Sequence, residues 1–255
     1  MDGRYFELDA KIEALHAREA QLPQALVREF ARRVEISIIY HDSALEGVVL
    51  AYSEIKAAID HKIISDVSLI PSYQELKLFK DAIDWCREYA QNRKKLINLE
   101  TIRKLYSMLS PEEVQKGSPY RKDNPLHRLY YHEISQPDKI LLRMRKLGEW
   151  FEEDATKRMH PIERAARAHF KLMNIYPWTK HTGRVARLLS NLMLSRDGMP
   201  LAIVHSIDRQ RYYEVLRTEH GGLVPLYFES VATSIETAQK FYDETAATSA
   251  RRRAS

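Results

Sequence analysis

The chain has 255 residues, enough for one large domain or two small ones, and its 44% hydrophobic and 29% charged residues are the balance of a soluble globular protein. The single Cys86 excludes an internal disulfide and a cysteine-rich zinc site, and no apolar run approaches the roughly 20 residues of a membrane helix. A dispersed net charge of +5 suits a phosphate-bearing small molecule at least as well as nucleic acid, and a charged start without a signal-peptide core leads us to expect a cytoplasmic protein.

Helical periodicity dominates. LDAKIEALHAREAQL and QALVREFARRVEISIIY place apolar residues three and four apart, as amphipathic helices do. SALEGVVLAYSEIKAAI reads as a short helix, a break near Gly47 and a second helix. YQELKLFKDAIDWCREYAQNRKKL is one long helix with Leu76, Phe79 and Ile83 on one face, and INLETIRKLYSMLS follows until Pro111 stops it. Residues 117–135, GSPYRKDNPLHRLYYHEIS, hold two prolines and clustered aromatics, which predicts a short β-hairpin or extended flap. PDKILLRMRKLGEWFEE and HPIERAARAHFKLMNI resume helix, each with a proline near its first turn. GRVARLLSNLMLSR ends at Asp197-Gly198, and DRQRYYEVLRTE and PLYFESVATSIETAQKFY complete an all-α fold. Without a linker or repeat, residues 1–245 read as a single helical domain. Residues 246–255, with Arg251, Arg252 and Arg253, read as a disordered basic tail.

The loop YPWTKHTGRVAR, residues 176–187, is the stretch that suggests chemistry. A helix start leaves unpaired N–H groups and a partial positive charge, so it attracts anions. Gly183 lets the backbone approach a ligand, while Arg184 and Arg187, three residues apart, share a helix face and suit phosphate or carboxylate. Lys180 adds a point charge, so a pocket of Lys180, Thr182, Gly183, Arg184 and Arg187 can bind an anion without a metal.

The surrounding sequence resembles the Fic (filamentation induced by cAMP) family, whose signature is HPFx[D/E]GNGRxxR. Pro177, Gly183, Arg184 and Arg187 fall in register with it, as do Pro161, Ala165, Ala166 and His169 before the loop and Leu188, Leu189, Asn191, Gly198 and Pro200 after it. DSALEG at 42–47 resembles the family's inhibitory-helix motif, with Glu46 as its glutamate and Asp42 where Ser or Thr is usual. The resemblance implies a Fic-like helical domain with a hairpin flap, and transfer of AMP from ATP to a protein hydroxyl. It implies phosphate contacts from the loop and arginines, pairing of Glu46 with Arg187, and a protein target docked on the flap at Tyr130 and Tyr131. Family members often self-associate, which allows a homo-oligomer here.

The same comparison shows what is missing. Tyr176 stands in place of the motif histidine, Lys180 in place of the metal-binding carboxylate, His181 and Thr182 in place of Gly and Asn. A phenol ordinarily titrates near 10 against about 6.5 for imidazole, so it is a poor base at neutral pH. Losing a general base costs about 10²–10⁴ in rate. Lys180 repels Mg²⁺, which makes a magnesium cofactor doubtful. Three readings follow. The chain is a nucleotide-binding pseudoenzyme; or an AMP transferase with His181 as a relocated base and Lys180 in place of metal; or an enzyme on a nucleotide or phosphorylated small molecule, with Glu46 as acid or base.

Overall fold

The computed structural model describes residues 3–59, 70–115, 120–125, 132–218 and 222–254. Two helices form its centre: α9, Pro161–Ile175, and α10, Thr182–Arg196, packed against each other and joined by the loop at 176–181. On α9 the residues Ile162, Ala165, Ala166, His169, Leu172 and Met173 are buried at three- and four-residue spacing, and the two alanines let α10 come close. On α10 burial runs through every position from Thr182 to Ser190, the mark of a helix with neighbours on all sides.

Helix α4, Ile70–Gln91, covers another side of α10, and α12, Leu223–Ala254, covers α9. Helices α5, Leu99–Leu109, and α7, Ile140–Glu152, flank the pair. Helix α1, Gly3–Glu19, lies on α12, while α2, Gln24–Leu45, lies on α4 and on the turn Ser206–Asp208. Short helices at Tyr52–Ile59 (α3), Pro111–Gln115 (α6), Asp154–Lys157 (α8) and Arg209–Arg217 (α11) complete the set. Helix α5 begins with a capping box: Asn98 accepts from the N–H groups of Glu100 and Thr101, and Thr101 accepts from that of Asn98.

The end of α2 decides what faces the loop. Gly47 takes φ 91, where an L side chain is strained, and Val48 N–H bonds back to the Ser43 carbonyl at 2.9 Å. The stop leaves Asp42 and Glu46 one turn apart at the C-terminal end of α2.

The all-helical expectation holds among the described residues. The β-hairpin is not supported, since no strand is found there. Much of the expected flap, including His127, Tyr130 and Tyr131, lies outside the described residues. Its described remainder is irregular because it serves a helix end: Ser135 N–H bonds the Asn174 carbonyl at 2.9 Å and His132 Nε2 donates to that of Met173 at 3.0 Å. The segment expected as a basic tail continues α12 to Ala254. No helix among the described residues is long and apolar enough to cross a membrane.

Candidate functional site

The loop between α9 and α10 is held by its own ends. Tyr176 ends α9 in the left-handed region, φ 48, with 1% of its surface exposed. Arg121 fixes that turn: its Nε donates to the Tyr176 carbonyl at 2.7 Å, Nη1 to Asn124 Oδ1 at 2.6 Å, and Nη2 to the Ser135 carbonyl. Trp178 is buried and stacks on Tyr106 with ring centres 4.1 Å apart and planes 5° from parallel. Thr182, fully buried, turns its hydroxyl back into the loop, donating to the Trp178 carbonyl at 2.8 Å and accepting from the Trp178 N–H at 3.1 Å. Lys180 is exposed.

His181 caps α10 in the left-handed region, φ 63, a conformation that favours glycine. It is partly buried, and its pKa is lowered by burial first and then by Arg184, with Glu75, Glu46 and Asp42 opposing. The ring is thus neutral near pH 7, beside the charged cluster and unlike a freely exposed loop histidine.

Arg184 and Arg187 converge, and carboxylates occupy both. Asp42 bridges them, accepting from Arg184 Nε on Oδ1 at 2.8 Å and from Arg187 Nε on Oδ2 at 2.6 Å. Glu46 accepts from Arg187 Nη2 at 2.7 Å, and Glu75 of α4 accepts from Arg184 Nη1 at 2.6 Å. The Arg184 guanidinium also lies over the Phe79 ring, 4.7 Å from its centre. Burial pushes the Asp42 carboxyl up, but Arg187 and Arg184 outweigh it and hold it below the ordinary carboxylate value. Two guanidiniums thus face three carboxylates.

A side chain at Gly183 would press on the ends of Glu46 and Arg187. A Cβ there would stand 2.7 Å from Glu46 Oε1 and 3.0 Å from Arg187 Nη1. The void beside Asp42 and Arg187 is only about 20 Å³. A far larger cavity, about 560 Å³, lies away from the loop, among Phe30, Val34, Ile83, Leu192 and Phe241.

Sequence reasoning placed Glu46 opposite Arg187, and the structure puts them in contact. It missed Asp42 as the bridging carboxylate and Glu75 altogether. The signal for Asp42 was an acidic residue one helical turn before Glu46; Glu75 sits on a face whose neighbour only docking selects.

Residues 96–194 match the model of the Fic/DOC family. The protein adenylyltransferase Fic of Culex quinquefasciatus is 26% identical over 249 residues, covering 95% of this chain and 48% of its own. That of Nematostella vectensis is 29% identical over 189 residues, covering 73% and 44%. The chain spans about half the length of the curated relatives it matches. The same fold occurs in a Fic-domain-containing signalling protein from Bacteroides thetaiotaomicron, at 22% identity and TM-score 0.76, covering 93% of this chain and 98% of that one. It occurs again in Fic-1 from C. elegans, at 23% identity and TM-score 0.75, covering 95% and 73%. The two buried arginines therefore stand in the segment, residues 96–194, that matches the Fic/DOC family model.

Proposed function

We propose that the loop at 176–187 is a phosphate-binding site for ATP or another nucleotide, held shut by α2. On this reading transfer of AMP from ATP to a protein hydroxyl is lost or altered. The observation that carries it is Asp42, buried and bridging Arg184 and Arg187. Both guanidiniums are spent on carboxylates of the chain, so a polyphosphate must displace those carboxylates before it meets either arginine. ATP is the nucleotide the relatives' name, protein adenylyltransferase, points to.

The loop supports loss or change of the transfer step. Tyr176 offers a buried phenol where the signature has imidazole, and Thr182 spends its hydroxyl inside the loop. Magnesium does not fit the residues present: Lys180 brings an ammonium to the position of the metal-binding carboxylate, and Asp42, Glu46 and Glu75 are each bound to an arginine. Among the described residues no group of three or more His, Cys, Asp or Glu is set to hold a metal ion. Phosphate charge would be met by Arg184, Arg187, the α10 N-terminus beside Gly183, and Lys180 from the rim.

The test is ATP-dependent thermal stabilisation, with and without Mg²⁺, together with transfer of label from ATP labelled in its AMP moiety. The parent is expected to show little stabilisation and no label. Asp42→Asn with Glu46→Gln is expected to gain stabilisation, which Arg184→Ala then removes. Mg²⁺-dependent labelling of protein by the parent would refute the reading.

A second reading is favoured by His181, neutral and beside Glu46: an altered transferase using its imidazole as base. It requires labelling that His181→Ala abolishes and Tyr176→Phe spares.

A further inference from the structure

Beneath the arginine pair runs a closed circuit of hydrogen bonds that the phosphate site does not itself use. Ser190 Oγ donates to the Arg187 carbonyl, three residues back on α10, at 3.0 Å. A hydroxyl carries one proton, so towards the Tyr227 hydroxyl, 2.6 Å away, Ser190 must accept. The Tyr227 proton is then committed, and its oxygen accepts from His169 Nδ1 at 2.5 Å. An imidazole protonated on Nδ1 has a lone pair on Nε2, which accepts from the Tyr212 hydroxyl at 2.8 Å. The Tyr212 oxygen accepts in turn from Arg187 Nη1, at a longer 3.5 Å. The circuit leaves the guanidinium of Arg187 and returns to the backbone of the same residue, and its donor directions follow from Ser190 donating to the Arg187 carbonyl.

Burial excludes the alternatives. His169, Ser190 and Tyr212 have no exposed surface and Tyr227 has 1%, so water cannot substitute for a member. Burial raises both phenols, which keeps them protonated. Burial, then the Arg187 charge, hold His169 well below the ordinary histidine value, with Asp42 opposing and His132 adding to the lowering. A charged imidazole would turn Nε2 into a donor, set it and Arg187 Nη1 against one Tyr212 oxygen, and leave the Tyr212 proton without an acceptor in the circuit.

We propose that His169 is a positioning residue for Arg187. As the Nδ1–H tautomer it pins the Nη1 corner of the guanidinium through Tyr212. The Nε and Nη2 edge, the one that now meets Asp42 and Glu46, then keeps its aim when those carboxylates give way to phosphate. The last step rests on the nucleotide reading above; the tautomer and the pinning do not.

The experiment is long-range ¹H–¹⁵N NMR on the full chain labelled at histidine and arginine. His169 is expected as neutral imidazole with the proton on Nδ1, unchanged between pH 8 and 5.5. An Nε2–H tautomer, or an imidazolium within that range, overturns the proposal. In Tyr212→Phe, hydrogen exchange at Arg187 Nε should quicken roughly tenfold, the factor worth one hydrogen bond to a charged group. Unchanged exchange also overturns it. In the Asp42→Asn/Glu46→Gln background, Tyr212→Phe should weaken ATP binding by a similar factor, and Tyr227→Phe by less. If that background binds no ATP, the nucleotide reading fails while tautomer and exchange still decide the circuit. If it binds ATP and Tyr212→Phe changes nothing, the positioning role fails alone.

Discussion

Asp42 and Arg187 meet at 2.6 Å with less than a tenth of either side chain open to solvent. Desolvating two charges is costly, and their attraction offsets that cost only while the geometry and the further hydrogen bonds are kept. Here they are kept, because Asp42 spends its second oxygen on Arg184. One carboxylate therefore ties α2 to α10 at two points.

Asp42→Ala should lower the unfolding free energy by about 3 kcal/mol, since it leaves two buried guanidiniums each short of a partner. Asp42→Asn, which still offers an acceptor, should lose less. Urea titrations read both, and a midpoint for Asp42→Ala equal to the parent's would show that the bridge does not hold α2 in place.

Arg121→Ala should cost about 2–6 kcal/mol by stranding the Tyr176 and Ser135 carbonyls, each worth about 1–3 when buried without a donor. Arg121→Lys should restore little, because one ammonium cannot reproduce a fork that spans Nε, Nη1 and Nη2. Thermal unfolding of the two variants compares them directly; full rescue by lysine would make the fork irrelevant.

His181→Gly should stabilise by about 1 kcal/mol, since φ 63 is strained for any side chain and free for glycine. Some of that gain is offset by the greater freedom of an unfolded glycine. A destabilised variant would mean that the imidazole's contacts with the charged cluster outweigh the strain.

The pH dependence has a calculable sign. His41, next to Asp42 on α2, is lowered to about 4 by burial first and by His205 next, with Asp208 opposing, and it accepts from the Ser206 N–H at 3.1 Å. Its folded pKa lies below its unfolded one. The stability it contributes is therefore full above about pH 6.5 and is lost as pH falls towards 4. For a partly exposed ring we expect about 1–2 kcal/mol after solvent screening. His41→Gln should flatten that part of the stability curve but not the share due to His169. Asp42 acts in the same sense but in a lower window: its contribution is full above the ordinary carboxylate range and is lost as pH falls through its own lowered value. Denaturant midpoints from pH 8 to 4.5 distinguish the two.

Cys86 is 8% exposed and burial pushes its thiol up to about 12, so it should resist a thiol reagent in the folded protein at pH 8 and react on unfolding. Rapid native-state reaction would mean that the neighbouring cavity opens readily.

Much of the architecture was legible along the chain. Three- and four-residue spacing located α1, α2, α4, α5, α7, α9 and α10 because a helix repeats its face locally, and Gly47, Pro111 and Gly198 marked ends that backbone geometry imposes. The loop with Gly183, Arg184 and Arg187 stood out for the same reason: its chemistry lies within a dozen consecutive residues. The hairpin expectation rested on prolines, aromatics and the family resemblance, and the described part of that segment instead bonds to the carbonyls ending α9.

By itself, then, the sequence determined that this is a helical protein with two arginines at the start of a helix, after a loop that carries Tyr176 and Lys180. Only the tertiary structure decided what those arginines touch. Asp42 lies 142 residues from Arg184, Glu75 lies 109, and His169 reaches Tyr212 and Tyr227 across 43 and 58. Periodicity is a property of neighbours in the chain, whereas charge pairing depends on which faces the helices present when they dock. That is why the cations could be read in advance, and the carboxylates that close over them could not.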